Sequence, residues 1–208
     1  MLDFFARGGW VMVPLLACSL LAATVVVERT IFWIVEGWRR APALVDSFLA
    51  DCAKGNFEAA EATGRSSGDF VLKVLLSGLV HRSFSLSEAM SVASSEEVKR
   101  MRRFLGVLDT MITVAPLLGI FGTVTGIIGS FELLGAASIG DPKAVTAGIA
   151  EALITTAAGL SITIFSLLPY NYFLGRIEDA AHDMEVAATS LEVIWAKTCM
   201  EEAQRNEP

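Results

Sequence analysis

Two apolar stretches of the chain carry the side chains best suited to handling a proton. One holds Thr123, within Gly119-Ile120-Phe121-Gly122-Thr123-Val124-Thr125-Gly126. The other holds Glu151, Thr155 and Thr156, within Gly148-Ile149-Ala150-Glu151-Ala152-Leu153-Ile154-Thr155-Thr156. A carboxylate can take up and release a proton, and a hydroxyl can donate one hydrogen while accepting another. An ionisable group at the centre of a membrane span costs at least about 2–3 kcal/mol and should face protein or water. Glu151 lies nearer the outer end of its stretch than the middle, which leaves two readings open: a proton relay, or an interface carboxylate solvated from outside. The threonines are ambiguous too, because a helical threonine most often bonds the carbonyl four residues earlier. Taken together, threonines on two glycine-lined helices make a neutral, hydroxyl-lined path. Such a path suits a proton or hydrated cation whose charged carrier is supplied elsewhere.

Other chemistries are excluded more directly. No Gly-Lys-Ser/Thr closes the glycine-rich run and no strand precedes it, so nucleotide binding is discarded. Cys18, Cys52 and Cys199 have no metal-ligand spacing, and their number is odd for a disulfide framework. No basic face sits on a soluble module, which argues against a nucleic-acid partner. Neither enzyme activity, cofactor nor metal is expected.

The helices that must position these residues are marked by small side chains. Ala115, Gly119, Gly122, Gly126 and Gly129 recur three or four residues apart, on one side of a helix. Such a stripe lets a second backbone approach closely where lipid offers no hydrophobic force. Gly159, on the other stretch, is assigned the same packing role. Pro116 removes a backbone donor within its helix and is expected to kink it.

With 53% hydrophobic residues in 208 and a mean hydropathy of +0.56, the chain exceeds the roughly 45–50% apolar content of soluble domains. Three runs reach or exceed the ~20 residues needed to cross a bilayer. The first, Gly8 to Val27, ends at Glu28-Arg29 and continues into an aromatic anchor at Phe32-Trp33. The second spans Val107 to Leu134 and the third Val145 to Leu174. Leu15-Leu16-Ala17-Cys18 faintly resembles a lipoprotein cleavage site. Asp3 beside Arg7, and an apolar run that continues past Cys18, weigh against one.

Charge gives the orientation. Arg39, Arg40, Lys54, Arg65, Lys73, Arg82, Lys99, Arg100, Arg102 and Arg103 all lie between the first two runs, while the loop after the second has only Lys143. Under the positive-inside rule the middle segment and C-terminus are cytoplasmic and the N-terminus is outside. Lys99, Arg100, Arg102 and Arg103 read as a stop at the membrane surface, with a lipid head-group site as the alternative. The expected layout is an outer segment with helix one (1–36), a cytoplasmic helical domain (37–106), helix two (107–134), a short periplasmic loop (135–144), helix three (145–174), and a cytoplasmic helix and tail (175–208). The fold class is an all-α membrane protein with three transmembrane helices and long helices extending into the cytoplasm.

Within the middle segment, Leu44, Val45, Phe48 and Leu49 form one helical apolar face, and Phe70, Val71, Val74, Leu75 and Leu79 another. Asn56 reads as a cap, and Ser85 with Glu88 as a capping box. Nothing breaks the pattern from Glu88 to Pro116, so one continuous helix is expected from Ser87 to Leu134. The polar end, Glu201 to Pro208, reads as disordered.

Ala-Pro-Leu-Leu-Gly-Ile-Phe-Gly-Thr-Val-Thr-Gly-Ile-Ile (Ala115–Ile128) followed by Gly-Ile-Ala-Glu-Ala-Leu-Ile-Thr-Thr-Ala-Ala-Gly-Leu (Gly148–Leu160) resembles the signature of the ExbB/TolQ/MotA proton-channel family. Glu28-Arg29 and Asn171 also resemble ExbB. The three-span layout is nearer the ExbB/TolQ branch than MotA proteins, which carry a fourth span. The resemblance implies a pentamer around a dimer of a single-span partner, ExbD or TolR, that brings a membrane aspartate. Thr123 and Thr156 match the family's pore threonines, and Glu151 its span-three glutamate. Thr125 stands where tryptophan is common and Thr155 where alanine is frequent, both adding polarity. Thr155 and Pro116 are second-tier candidates for the ion pathway. The implied function is conversion of the proton-motive force into mechanical work at the bacterial inner membrane, energising TonB-dependent outer-membrane transport through a TonB-like protein. A TolQ-type role in envelope constriction with a TolA-like protein, or a non-conducting scaffold, are the alternatives.

Overall fold

The long apolar runs become long helices. In the computed structural model, which describes residues 9–136 and 142–205, seven helices are formed: α1 (Met12–Arg39), α2 (Pro42–Ala53), α3 (Phe57–Ser66), α4 (Phe70–Val80), α5 (Leu86–Met101), α6 (Leu105–Ala136) and α7 (Pro142–Arg205). The charges at Asp3 and Arg7, the centre of the expected 135–144 loop and the last three residues fall outside the described residues. The chain divides into two compact units, Met1–Thr30 with Phe104–Phe173, and Ile31–Arg103 with Leu174–Pro208.

The first unit contains the apolar parts of α1, α6 and α7. Met12–Arg39, Leu105–Glu132 and Thr146–Thr198 are long and apolar enough to cross a membrane, yet only 28%, 17% and 22% of their most apolar windows is buried within the chain. Leu20, Leu117, Phe121, Ile128, Leu153 and Leu168 all point outwards. An apolar exterior of this extent is a surface for lipid or for other membrane helices. Inside, Val11, Met12 and Leu15 of the N-terminal segment close on Ala115, with Leu118, Ala158 and Ile162 around them. A second cluster joins Ala22 and Val25 to Leu108, flanked by Tyr170. Arg29, 2% exposed, is neutralised by Glu28, as a buried charge requires.

One expectation is corrected at the start of α6. The helix from Ser87 to Leu134 is not continuous: α5 ends at Met101, and Phe104 adopts a φ of 65° before α6 begins. A non-glycine residue in the left-handed region is strained by about 1–2 kcal/mol. The Phe104 ring offsets this by lying against the Arg29 guanidinium, 5.8 Å from its centroid. No local breaker marks the turn. The contact that favours it comes from α1, far away in sequence.

The second unit is a helical cluster of α2 to α5 with the ends of α1 and α7. Phe48, Leu72, Leu75, Leu79, Met90 and Met184 are completely or almost completely buried in it. Phe48 reaches this core while Leu44 of the same face stays exposed. Asn56 caps α3 by accepting from the Ala59 N–H at 3.4 Å, and Ser85 caps α5 by accepting from the Glu88 N–H at 3.3 Å. Asp69, fully buried, caps α4 through the Val71 N–H (2.8 Å) and also accepts from Ala41 N (2.7 Å) and Arg40 Nη1 (3.0 Å). Arg40 in turn donates to Asp183 of α7 at 2.6 Å. Arg100 pairs with buried Glu36 at 2.8 Å and with Glu97 at 2.7 Å. Burial alone would lower its pKa, but the two carboxylates outweigh that and raise it. The polar end does not fray at Glu201, since α7 continues to Arg205. Glu201, Glu202, Ala203, Gln204 and Arg205 are all good helix formers.

Candidate functional site

Glycine lets α6 and α7 touch at their backbones. Facing positions run in opposite order along the two helices. A Cβ on Gly126 would lie 3.1 Å from Ala152 Cβ, and one on Gly119 3.0 Å from Thr156 Cα. A Cβ on Gly122 would overlap the Thr155 hydroxyl, and one on Gly159 the Ala115 carbonyl. Ala115 is fully buried at this contact. Gly129 differs from the rest of its stripe, with open space where a Cβ would be.

This close approach brings the threonines together. The Thr123 and Thr156 hydroxyls are in direct hydrogen-bond contact across the two helices, and either can be the donor. Thr123 Oγ1 also lies 3.1 Å from the Ala152 carbonyl of α7 and 3.1 Å from Gly119 O of its own helix. Thr156 Oγ1 reaches Gly119 O at 3.0 Å. Thr155 Oγ1 donates to Ala152 O at 2.8 Å and lies 3.4 Å from Gly119 O.

Each hydroxyl has one hydrogen, so the pair can donate in two directions. In one, Thr123 donates to Thr156 and Thr156 to Gly119 O. In the other, Thr156 donates to Thr123 and Thr123 to Ala152 O or Gly119 O. Exchange between them reverses the direction of the chain without moving a heavy atom. That is the property a proton relay requires of a neutral link.

Glu151 sits one helical turn before Thr155, and both line a groove of about 450 Å³ with Trp10, Gly122, Thr125, Gly126, Gly129, Ser130 and Gly148. Trp10 closes its rim, edge-on to Phe121 at 5.8 Å. The Glu151 carboxylate lies against the backbone of Gly9, in the space a side chain there would occupy. Thr125, half-buried, bonds back to Phe121 O at 3.0 Å. Ser130, 3% exposed, bonds back to Gly126 O at 2.8 Å. Trp10 and Ser130 were not legible as site residues. The one available signal was Gly148, whose missing side chain makes room for the Ser130 hydroxyl. Among the described residues, no cluster of three or more His, Cys, Asp or Glu could hold a metal ion.

Three helices apolar and long enough to cross a membrane, two of them joined through glycines and crossed by hydroxyls, define a multi-pass membrane protein. The family description "MotA/TolQ/ExbB proton channel family" matches residues 67–186. A biopolymer transport protein ExbB-like 1 of Synechocystis sp. is 36% identical over 98% of this chain and 82% of its own length. An ExbB homologue of Methanothermobacter thermautotrophicus is 31% identical over 89% of the chain and 67% of its length. The Tol-Pal system protein TolQ of Pseudomonas aeruginosa is 41% identical over 93 residues, 45% of this chain and 40% of that one. The chain belongs to the MotA/TolQ/ExbB proton channel family, and is a proton-channel subunit of its ExbB/TolQ kind.

Proposed function

We propose that this chain builds the pore of an inner-membrane motor that turns proton flow into mechanical work, with the N-terminus periplasmic and the C-terminus cytoplasmic. The observation that carries the reading is the Thr123–Thr156 hydroxyl pair, which can donate in either direction. The pair holds no charge, so the carrier is a carboxylate from another chain: an aspartate on an ExbD/TolR-like single-span partner, inside a homopentamer of this subunit. Glu151 and Thr155 extend the path on the outer side, because Thr155 lines the Glu151 groove and also reaches Gly119 O. Pro116 frees a backbone acceptor nearer the cytoplasmic side. The basic residues Lys99, Arg100, Arg102 and Arg103 support the orientation.

A partner carboxylate facing this pair is desolvated and binds a proton more readily than in water. Once protonated it is neutral, and the partner helix can turn. Release on the cytoplasmic side restores the charge. One charge crossing 100 mV supplies about 2.3 kcal/mol, so a large step takes several protons.

Relatives named ExbB support a role in energising outer-membrane transport through a TonB-like protein. The local match to TolQ supports a second reading, envelope constriction through a TolA-like protein. Reconstitution with each candidate partner tests both. Gradient-driven proton flux into proteoliposomes is expected with the matching partner and lost on Thr123→Val. Equal flux in wild type and variant would leave a channel whose path does not use the hydroxyl, and no flux with any partner would leave a non-conducting scaffold.

A further inference from the structure

Proline at position 116 has no N–H, so the Ile112 carbonyl one turn earlier has no helical donor. Within a hydrocarbon environment water does not supply one, and such a carbonyl needs a protein partner. The donor comes from the other helix. Thr163 Oγ1 lies 3.3 Å from Ile112 O, while its own-helix alternative, Gly159 O, is 3.1 Å away. Thr163 is half-buried, and beside it α6 and α7 meet backbone to backbone, where a Cβ on Gly159 would overlap Ala115 O. Thr163 and Pro116 each stand about two helical turns from Thr156 and Thr123 respectively. The clasp therefore lies in the same register as the hydroxyl pair.

We infer that Thr163 is a positioning residue: its hydroxyl replaces the N–H that Pro116 lacks, and so locks the α6–α7 register that sets Thr123 opposite Thr156. Its effect on conduction rests on the proton-path reading, but the clasp does not. An ordinary threonine bonding only Gly159 O would make no difference to α6. A threonine bonding Ile112 O couples to Pro116, and this coupling is measurable.

The test is a double-mutant cycle on the full chain. Isoleucine carbonyls are labelled with carbon-13, and the Ile112 resonance is assigned by its loss in Ile112→Val. Thr163→Val is expected to move that resonance upfield by about 1 ppm or more, and Thr163→Ser to leave it in place. In a Pro116→Ala background an N–H again reaches Ile112 O, so Thr163→Val should then shift it by less than a third as much. With partner present, proton flux should fall at least fivefold in Thr163→Val, stay near wild type in Thr163→Ser, and fall less than twofold when Thr163→Val is added to Pro116→Ala. An Ile112 resonance indifferent to Thr163→Val overturns the inference, as does a shift of equal size in both backgrounds. If the resonance behaves as expected but even the wild type conducts nothing with any partner, the clasp stands and the proton-path reading fails.

Discussion

The Glu151 carboxylate rests on the backbone of Gly9, whose φ of 64° holds the chain in a conformation that side chains disfavour. The N-terminal approach to α1 thus closes one wall of the groove around the acid. Glu151→Gln, which keeps the size and most hydrogen bonding, is expected to weaken gradient-driven work less than Glu151→Ala. Equal loss in both variants, with assembly intact, would show that the ionisable group itself is required. Gly9→Ala must displace the carboxylate and should resemble Glu151→Ala in the same assay.

Two glycines of the packing set should respond oppositely. A methyl at Gly159 meets the Ala115 carbonyl, and overpacking of this kind costs about 1–3 kcal/mol. A methyl at Gly129 meets nothing, and helix propensity alone favours it by up to about 1 kcal/mol. Thermal unfolding in detergent is therefore expected to shift down for Gly159→Ala and to hold or rise for Gly129→Ala. Equal shifts would mean that the close α6–α7 contact does not set stability. Gly122 and Gly126 abut Thr155 and Ala152 of the same chain, so a leucine at either should disrupt the subunit's own fold before it disturbs an oligomer.

Asp69 joins the N-terminus of α4, Arg40 and the Ala41 amide in one buried cluster. Removing the carboxylate leaves the Ala41 and Val71 N–H groups without their acceptor, at about 1–3 kcal/mol for each buried donor left unsatisfied, while Arg40 keeps Asp183. Asp69→Ala should lower the unfolding midpoint strongly, whereas exposed Glu61→Ala, which loses only a surface pair with Arg65, should shift it by less than about 1 kcal/mol. Similar losses would contradict the cluster's role.

How much of this was visible beforehand depended on the range of the interaction. The spans were legible because each is a long apolar run with at most two charges, and Asn56 and Ser85 because a cap is written within four residues. The small-residue face from Ala115 to Gly126 was legible from spacing, but not that α7 of the same chain fills it. The break at Phe104 and the groove between Trp10 and Glu151 were not visible, since each depends on residues far apart in sequence. Asp69 was missed for the same reason. Its cap is local, but its pairing with Arg40 and the burial that makes it costly to remove are tertiary.

Cys52 is fully buried, and desolvation, reinforced by the neighbouring Asp51 charge, pushes its thiol up from 9.0 to about 11. The folded state holds this proton more tightly than the unfolded chain. Its contribution to stability is therefore complete below pH 9 and is lost as pH rises through 11. Wild type should lose about 2–3 kcal/mol more than Cys52→Ala over that interval, measured by denaturant titration. Identical pH profiles would contradict the shift. Maleimide at pH 8 should leave Cys52 unmodified until the protein is unfolded.

The most direct test of the central claim is proton flux through the reconstituted complex, measured for Thr123→Val, Thr156→Val and the two serine variants. Valine keeps the shape of threonine and removes the hydroxyl, while serine keeps the hydroxyl. If Thr123 and Thr156 pass the proton by exchanging donor and acceptor, both valine variants assemble and conduct at less than about a tenth of the wild-type rate, a barrier increase of at least about 1.4 kcal/mol. Both serine variants then conduct within about threefold of wild type. Undiminished flux in an assembled Thr123→Val/Thr156→Val double variant would contradict the account, because a path without either hydroxyl would still carry the current.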